Sequence, residues 1–368
     1  MARQTGLSLQ AISTIVGELQ AEGWITSQGR RATSRGQPPI YYELDPDGCR
    51  SVGIVIDVNG ITGTVGDVSG AVLAERHHGL SSFSPAQAVD LIVPLVNGLL
   101  KEAGTDGTRV LGLGIAIPGT TDPGADRVVS LPNIAGWEGF PLRGTLARHF
   151  DFPIFVANDA TVTALGESWF GASRHTRNFF YVFFAQGGLN GALISERQPY
   201  GGLWGITGYI GHIPVEPNGR PCPTCGGQGC LEQYASRLAL ERAVGSEQAG
   251  EELLAMLLDQ GDERLLAWLD EAAGHLTTAL LSVENLVDPE QIVFGGRIPR
   301  PILEALLDRI RAPLGGRRMK KLKQRHPTLS ISNISEKAAS VGAFALPLHL
   351  AMSPNLELAL QDVGKGAR

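Results

Sequence analysis

Apolar positions change their spacing near residue 50, and the first pattern is helical. After Ser8, four apolar side chains recur at intervals of three and four residues, which predicts a helix that buries this face. These side chains are Ile12, Ile15, Val16 and Leu19. The preceding Thr5-Gly6-Leu7 is typical of a tight turn that follows a short earlier helix. The segment therefore predicts two helices joined by a turn.

The residues after this helix predict a hairpin with a basic tip. Trp24-Ile25 starts a strand, Arg30–Gln37 is a basic loop, and Ile40–Leu44 returns as a second strand. Two helices followed by such a hairpin are typical of a winged helix-turn-helix, which indicates a DNA-binding head over residues 1–46. An amphipathic helix beside an unrelated hairpin is the alternative interpretation. A complete module carries a further helix before Ala2, so we expect this head to be partly truncated.

On the DNA-binding interpretation, the head contacts both bases and phosphates. Small uncharged residues on the exposed face of the second helix suit base edges, and arginines suit phosphates. The residues expected at this interface are Gln10, Ser13, Thr14, Arg30, Arg31 and Arg35. The whole chain carries a net charge of −6, which argues against a protein that coats nucleic acid with its entire surface. It leaves room for a small basic module.

From Ser51 the spacing becomes that of alternating strands and helices. The first half predicts strands at Ser51–Asp57, Gly63–Asp67, Val72–Arg76, Val110–Ile117 and Ile154–Val156, with helices at Pro85–Ala103 and Ala160–Phe170. The second half predicts strands at Phe179–Phe184, Ala192–Ser195, Gln291–Phe294 and Thr328–Ile331, with helices at Leu231–Ala243, Glu251–Gln260 and Leu265–Val287. A plan repeated in this way predicts an α/β protein with a two-lobed actin-like (ribonuclease H-like) fold. We expect residues 51–170 and 335–352 to form the first lobe and residues 171–334 the second.

Composition restricts the cellular setting. Hydrophobic residues make up 43% of the chain and charged residues 18%, as in ordinary globular proteins. No apolar run approaches the length that crosses a membrane, and no charged start precedes an apolar stretch as in a signal peptide. These features predict a cytoplasmic protein without a membrane partner.

The strongest chemical signal is a group of cysteines beside a histidine. His212, Cys222, Cys225 and Cys230 supply four soft or borderline ligands, which suit a closed tetrahedral zinc site. The intervening Pro- and Gly-rich segment has no apolar periodicity that could hold it otherwise. Buried or redox-active cysteines that are merely close in sequence are the alternative. Cys49 stands apart and is expected to be a plain small residue.

Several motifs together resemble the ROK family, which comprises repressors, uncharacterised reading frames and sugar kinases. The most specific is Gly211-His212 followed by Cys225-Gly-Gly-Gln-Gly-Cys-Leu-Glu232. The others are Pro118-Gly119, Leu131-Pro-Asn133, Val156-Ala-Asn-Asp-Ala160, Asn285-Leu-Val-Asp-Pro289 and Ile292-Val-Phe-Gly-Gly296. The resemblance spans residues 51–350 and implies the sugar-kinase version of the two-lobed fold.

The resemblance also implies roles for individual residues. Asp159 stands where family kinases have the base that deprotonates the sugar hydroxyl, and a helix N-cap is its bland alternative. The residues implied to bind the sugar are Gly119, Asn133, Asn158, Asp159, His212 and Glu232. His212 is implied both to bind zinc and to lie beside the sugar.

Of three departures from the kinase pattern, the two in the phosphate loops favour a regulator and the third concerns the ligand. The first phosphate loop reads Asp57-Val-Asn-Gly-Ile-Thr62, and Ile61 is expected to obstruct the amides that would hold phosphate. The second loop, Ala185–Gly191, is glycine-rich but disturbed in order, and Tyr209 replaces the glutamate that precedes Gly-His in the family. Tyrosine has no carboxylate to offer a sugar, so the ligand or its affinity is expected to differ.

These observations predict a sugar-responsive transcriptional repressor of carbohydrate metabolism, with structural zinc and without ATP as a cofactor. Its expected partners are a DNA operator, a sugar effector and a second copy in a homodimer or dimer of dimers. An ATP-dependent sugar kinase of the glucokinase or N-acetylhexosamine kinase type is the alternative, with Asp159 as its base. A scaffold that binds another protein through the cysteine-rich segment is a third.

Overall fold

A computed structural model describes most of the chain. The described residues are 1–30, 40–80, 83–105, 110–122, 124, 126–131, 134–247, 249–317, 326–335 and 337–352. Arg31, Arg35 and Asn133, which were predicted to bind DNA or sugar, lie outside these ranges. Among the described residues, no helix is both long enough and apolar enough to cross a membrane.

The N-terminal segment forms the predicted helices and hairpin. Its elements are α1 (Ala2–Thr5), α2 (Leu9–Ala21), β1 (Ile25–Arg30) and β2 (Ile40–Leu44), and the two strands pair antiparallel. Ser8 caps α2, since its hydroxyl oxygen accepts a hydrogen bond from the Ala11 N–H at 3.1 Å. The expectation that the apolar face of α2 packs inward is met only in part, since Ile12, Val16 and Leu19 are half-buried. None of the α2 residues is buried, and Ile15 remains 39% exposed.

The first lobe is built on a five-stranded sheet in the order β5-β4-β3-β6-β9. Its strands are β3 (Arg50–Asp57), β4 (Gly60–Asp67), β5 (Val72–Gly79), β6 (Val110–Ile117) and β9 (Ile154–Asn158), and β7 (Thr120–Thr121) pairs with β8 (Val128–Ser130) beside it. Strands β3, β6 and β9 run parallel, while β4 and β5 form an antiparallel meander. The lobe's helices are α3 (Pro85–Glu102), α4 (Leu142–Leu146) and α5 (Asp159–Phe170).

The second lobe repeats this connectivity with a sheet in the order β12-β11-β10-β13-β14. Its strands are β10 (Phe179–Ala185), β11 (Gly188–Ser195), β12 (Gln198–Tyr200), β13 (Gln291–Gly296) and β14 (Thr328–Ile331). Its helices are α6 (Glu232–Ala235), α7 (Arg237–Val244), α8 (Glu251–Asp259), α9 (Glu263–Val287) and α10 (Arg300–Arg317). The prediction of one helix over Leu231–Ala243 is wrong. Ser236 interrupts it in an extended conformation, and its hydroxyl oxygen caps α7.

The last helix, α11 (Ala338–Met352), returns to the first lobe and packs against β3, β6 and α5. Residues at or just after the carboxyl ends of β3, β6, β9, β10 and β13 line one cleft between the lobes. Ligand sites in open α/β sheets lie at such strand ends.

Candidate functional site

A solvent-open cleft between the two lobes brings together Asp159, His212 and Glu232, three of the six residues predicted to bind a sugar. Its first-lobe wall includes Asp57, Thr62, Pro118 and Asp159, and its second-lobe wall is built on the β10–β11 hairpin. The second-lobe residues that line it are Phe183, Ala185, Gln186, Gly187, Gly188, Leu189, Asn190, Tyr209, His212, Thr224, Glu232, Gly296 and Arg297. Polar groups from both lobes thus face one space.

Asp159 is the first residue of α5 and is buried. Burial raises the pKa of its carboxyl group from 3.8 to about 7; the Ala160 N–H, which donates to it at 2.8 Å, opposes the increase, and the charge of Asp57 adds to it. The alternative in which Asp159 is the N-cap is wrong, because Asn158 holds that position. A carboxyl group that titrates near neutrality can accept a proton as well as a hydrogen bond.

Asn158 and Gly119 support the cleft wall from behind. The Asn158 side-chain oxygen accepts from the Ala160 N–H at 3.0 Å, and its Nδ2 donates to the Gly119 carbonyl at 3.0 Å. Gly119 has no room for a side chain, since an added Cβ would lie 1.9 Å from the Ser130 carbonyl oxygen. Neither residue is among those that line the cleft. A direct bond from either one to a sugar remains a prediction.

Tyr209 faces Asp159 across the cleft. Burial raises the pKa of its hydroxyl group to about 12, and the charge of Asp159 adds to this increase. A hydrogen bond with the Thr120 side chain opposes it. The side chain is therefore a neutral phenol at every physiological pH. Its ring also lies beside the His212 imidazole, with 5.9 Å between ring centroids.

An ion pair joins the lobes at the first phosphate-loop position. Nη2 of Arg297, which follows β13, lies 3.2 Å from Oδ2 of Asp57 at the end of β3. Among the described residues that line the cleft, Arg297 is the only one with a permanent positive charge. No role for Arg297 was predicted from the sequence. The signal available was a cation directly after the Gly295-Gly296 pair.

One expectation about the phosphate loops is wrong. Ile61 is fully buried in the apolar core of the first lobe and does not line the cleft, so it does not obstruct the amides there. Strand alternation gives the cleft position to Thr62 instead. The second loop is only the two-residue turn Gln186-Gly187, because Ala185 already pairs with Gly188 and β11 begins there.

The cysteine-rich segment folds into a compact knuckle beside the cleft. The Cys222 N–H donates to the Gly227 carbonyl and the Gly226 N–H donates to the Cys222 carbonyl, both at 2.8 Å. The Gly227 N–H also donates to the Cys225 sulfur at 3.4 Å. Gly226 has a φ of 75°, a conformation that glycine adopts without strain. In this knuckle the sulfur atoms of Cys222, Cys225 and Cys230 lie within 4.8 Å of one another.

The four predicted ligands fit one metal ion. The ligand atoms of His212, Cys222, Cys225 and Cys230 all lie within 4.8 Å of one another. The Cys225 and Cys230 sulfurs are 3.5 Å apart, and the Cys222 sulfur is 3.8 Å from His212 Nδ1. Ligands about 2.3 Å from a tetrahedral zinc ion are separated by about 3.8 Å, so these separations match. Burial raises the pKa of the Cys230 thiol to about 12, and a divalent cation would supply the opposing charge.

The knuckle and the cleft share two residues. His212 lines the cleft with its ring and belongs to the ligand cluster, and the Cys222 thiol donates to Glu232 Oε1 at 3.0 Å. Glu232 Oε1 also lies 3.9 Å from His212 Nδ1. A metal ion bound at the knuckle would therefore orient His212, one of the residues predicted to bind the ligand.

Of the predicted DNA-binding residues, Gln10, Ser13 and Thr14 are exposed on α2, as expected, and Arg30 ends β1. The Thr14 hydroxyl donates to the Gln10 carbonyl one turn earlier, at 3.2 Å. These side chains are available on one exposed helix, and their contact with DNA remains a prediction.

Comparisons with known proteins agree with this geometry. The sequence model of the ROK family matches residues 51–349 of the chain. The chain is also 26% identical over 347 residues to the xylose repressor of Bacillus spizizenii, an alignment that covers 93% of this chain and 88% of that protein. This share is more than residues 51–368 alone contain, so the alignment includes part of the N-terminal segment.

Two solved structures share the fold. A ROK family transcriptional regulator, a homolog of the Escherichia coli MLC protein, has a TM-score of 0.80 and 22% identity, covering 98% of this chain and 93% of that one. A ROK family glucokinase from Streptomyces griseus, solved with glucose and AMPPNP, has a TM-score of 0.69 and 27% identity. The glucokinase match covers 81% of this chain and 98% of the glucokinase.

Proposed function

The chain belongs to the ROK family, and from this premise we propose that it is a transcriptional repressor of sugar metabolism whose cleft binds a sugar effector. The observation that carries the proposal is the extent of the similarity. The xylose repressor aligns with part of the N-terminal segment, whereas the glucokinase is almost fully accounted for by 81% of this chain. The N-terminal residues, which the kinase match does not need, are those in which a regulator of this family carries its DNA-binding domain.

On this proposal, residues 1–46 form a winged helix-turn-helix head that reads an operator. Residues 51–170 with 335–352, and residues 171–334, form the two lobes of the sugar sensor. A homodimer or dimer of dimers would present paired heads to two half-sites. One structural zinc ion, held by His212, Cys222, Cys225 and Cys230, stabilises the sensor. The close spacing of these four ligand atoms is the argument for zinc.

The cleft suits a neutral sugar. Asp159, Glu232 and His212 offer hydrogen-bonding groups to hydroxyls, with Asn158 and Gly119 behind them. Three carboxyl groups, those of Asp57, Asp159 and Glu232, face the cleft against the one arginine. This balance disfavours a highly charged anion such as a nucleotide triphosphate. Tyr209 adds an aromatic surface, against which the C–H face of a sugar can pack.

A gel-shift assay on the DNA upstream of the protein's own gene tests the proposal. The double variant Arg31→Ala/Arg35→Ala is expected to bind this DNA more weakly. Because each lost phosphate contact removes about 0.9 from the slope of log K against log salt, the slope should fall by about 2. Arg311→Ala, on the far helix α10, is the matched control and should bind as the wild type does. Binding that is absent, or equal in both variants, would contradict the assignment of the head.

The sugar arm of the same assay uses D-xylose, D-glucose and N-acetyl-D-glucosamine. At least one should change the operator affinity of the wild type by about fivefold or more, as expected for two coupled sites. If all three leave both operator affinity and thermal stability unchanged, the cleft is not a sensor for this class of sugar.

An ATP-dependent sugar kinase is the second candidate, and one observation favours it. Asp159 stands at the base position with a pKa of about 7, which is suited to accepting a proton from a sugar hydroxyl. The opposing observation is the ion pair between Arg297 and Asp57, because Asp57 is then not free for the magnesium ion that accompanies a nucleotide.

The two candidates differ in turnover. With any of the three sugars, Mg²⁺ and ATP, the wild type is expected to show no sugar-dependent hydrolysis in a coupled ADP assay. Turnover on the order of one per second or faster would establish the kinase instead. Arg297→Ser frees Asp57 and serves as the sensitised variant; Arg300→Ser, whose partner is Glu304 on the same helix, is the control.

A further inference from the structure

Two helices run from the cleft to the base of the N-terminal head. Asp159 begins α5 in the cleft wall, and Ala339 and Ser340 of α11 line the same cleft. At the far end, Phe170 of α5 and Leu348 of α11 pack into one apolar cluster with Cys49 and Val68. We call this cluster, with Trp169 beside it, the head joint. Trp24 of the head packs against it.

The two helices are in backbone contact where they cross. An added Cβ on Gly342 of α11 would lie 1.9 Å from the Val162 carbonyl oxygen of α5, and one on Gly166 would lie 2.8 Å from the Ala338 carbonyl oxygen. Packing this close leaves no layer of side chains that could absorb a displacement. The two helices are therefore expected to move as one unit.

His349, next to Leu348, bridges this pair of helices to the second lobe. Its Nδ1 lies 3.2 Å from the Trp169 Nε1 of α5, and its Nε2 lies 2.8 Å from the side-chain oxygen of Gln198. An indole N–H only donates, so Nδ1 accepts and the ring proton resides on Nε2, which donates to Gln198. Burial lowers the pKa of His349 and favours this neutral ring.

Gln198 belongs to β12, the edge strand of the second sheet. This strand pairs with β11, whose start lines the cleft, and the chain after it continues to Tyr209. A change in the distance between the lobes therefore moves Gln198 relative to His349. The His349–Gln198 hydrogen bond lies on the head side of the molecule, because His349 adjoins Leu348 of the head joint.

We propose that His349 is the positioning residue that couples ligand binding to the head: through Gln198 it holds the second lobe to the head joint, so that closure of the cleft changes the support of Trp24. The inference rests on the proposed function, since it explains how a bound sugar reaches the DNA-binding head. The Trp169–His349–Gln198 bridge transmits the change, and the paired helices α5 and α11 give it a rigid base.

The test compares His349→Leu, Gln198→Ala and His349→Gln with the wild type. Leucine preserves packing and removes both hydrogen bonds, whereas glutamine can accept from Trp169 and donate to Gln198. For each protein, operator affinity is measured by gel shift without and with saturating D-xylose, D-glucose or N-acetyl-D-glucosamine, and sugar affinity by calorimetry. The fold-change in operator affinity caused by sugar is expected to fall below about twofold in His349→Leu and Gln198→Ala, and to recover in His349→Gln. Sugar affinity itself should stay within about threefold.

Gln198→Ala keeps the test decisive if His349→Leu does not fold, because Gln198 lies on an edge strand. In the double variant His349→Leu/Gln198→Ala, the sugar-induced change in operator affinity should be no smaller than in either single variant, since both substitutions remove the same bridge. A sugar effect on operator affinity that is retained in Gln198→Ala would overturn the proposal.

Hydrogen exchange measured without sugar separates this inference from the proposed function. Gln198→Ala is expected to increase exchange in residues 45–49 and in the last turn of α11, because the joint loses its side-chain hydrogen bond to the second lobe. Unchanged exchange there would overturn the inference whether or not the wild type binds DNA. Loss of operator binding or of a sugar effect in the wild type would instead refute the proposed function.

Discussion

Replacing Asp159 with asparagine is expected to stabilise the protein at pH 8 by an amount on the order of 4 kcal/mol. In the folded protein the pKa of this carboxyl group is about 7, against 3.8 as its ordinary value. Between these two pH values the folded state keeps a proton that the unfolded state has lost. Stability therefore falls as pH rises from about 4 to about 7, by roughly 1.4 kcal/mol for each pH unit. Asparagine stays neutral and avoids this loss.

Urea denaturation at pH 5 and pH 8 measures the effect. The difference between Asp159→Asn and the wild type should be much larger at pH 8, and Asp151→Asn, at an exposed site, should show no such dependence. The same substitution should weaken sugar binding by about 10- to 100-fold, the size of a hydrogen bond to a charged group. An Asp159→Asn variant that is no more stable at pH 8 would mean that this carboxyl group is solvated in the folded protein.

Removing a predicted zinc ligand that lies outside the cleft is expected to weaken sugar binding in the cleft. Cys225 is exposed on the knuckle, and its sulfur contacts Cys230 rather than a cleft residue. Cys225→Ser should release the metal from a site that holds about one zinc ion per chain. His212 then loses the ion that orients it, so sugar affinity should fall by about tenfold, the effect of losing one well-placed hydrogen bond.

Metal analysis by mass spectrometry and sugar calorimetry on the same samples check this result. Pro223→Ala changes the same turn without removing a ligand and should keep both metal and affinity. Full zinc content in Cys225→Ser would refute the ligand set. Loss of zinc with unchanged sugar affinity would show instead that the knuckle and the cleft are independent.

Local patterns predicted most of the elements and the cluster of candidate metal ligands. The spacing of apolar residues predicted the strand Val110–Ile117 to the residue and the helix Pro85–Ala103 within one residue. The cysteine cluster could be predicted because Cys222, Cys225 and Cys230 lie within nine consecutive residues, which a tight Gly-rich turn can bring together. The break at Ser236 was missed, since a serine inside an apolar helical pattern ends a helix only when its surroundings favour the cap.

The chain by itself therefore determined the elements, the knuckle and the family motifs, because each depends on residues that are close in sequence. Tertiary structure alone decided what lies across the cleft and between the lobes. Ile61 turns into the core and Thr62 toward the cleft because the register of β3 against β4 fixes which face each side chain takes. The pairs Arg297–Asp57 and His349–Gln198 join residues 240 and 151 positions apart, and only the packing of two separate sheets brings such residues within hydrogen-bond distance.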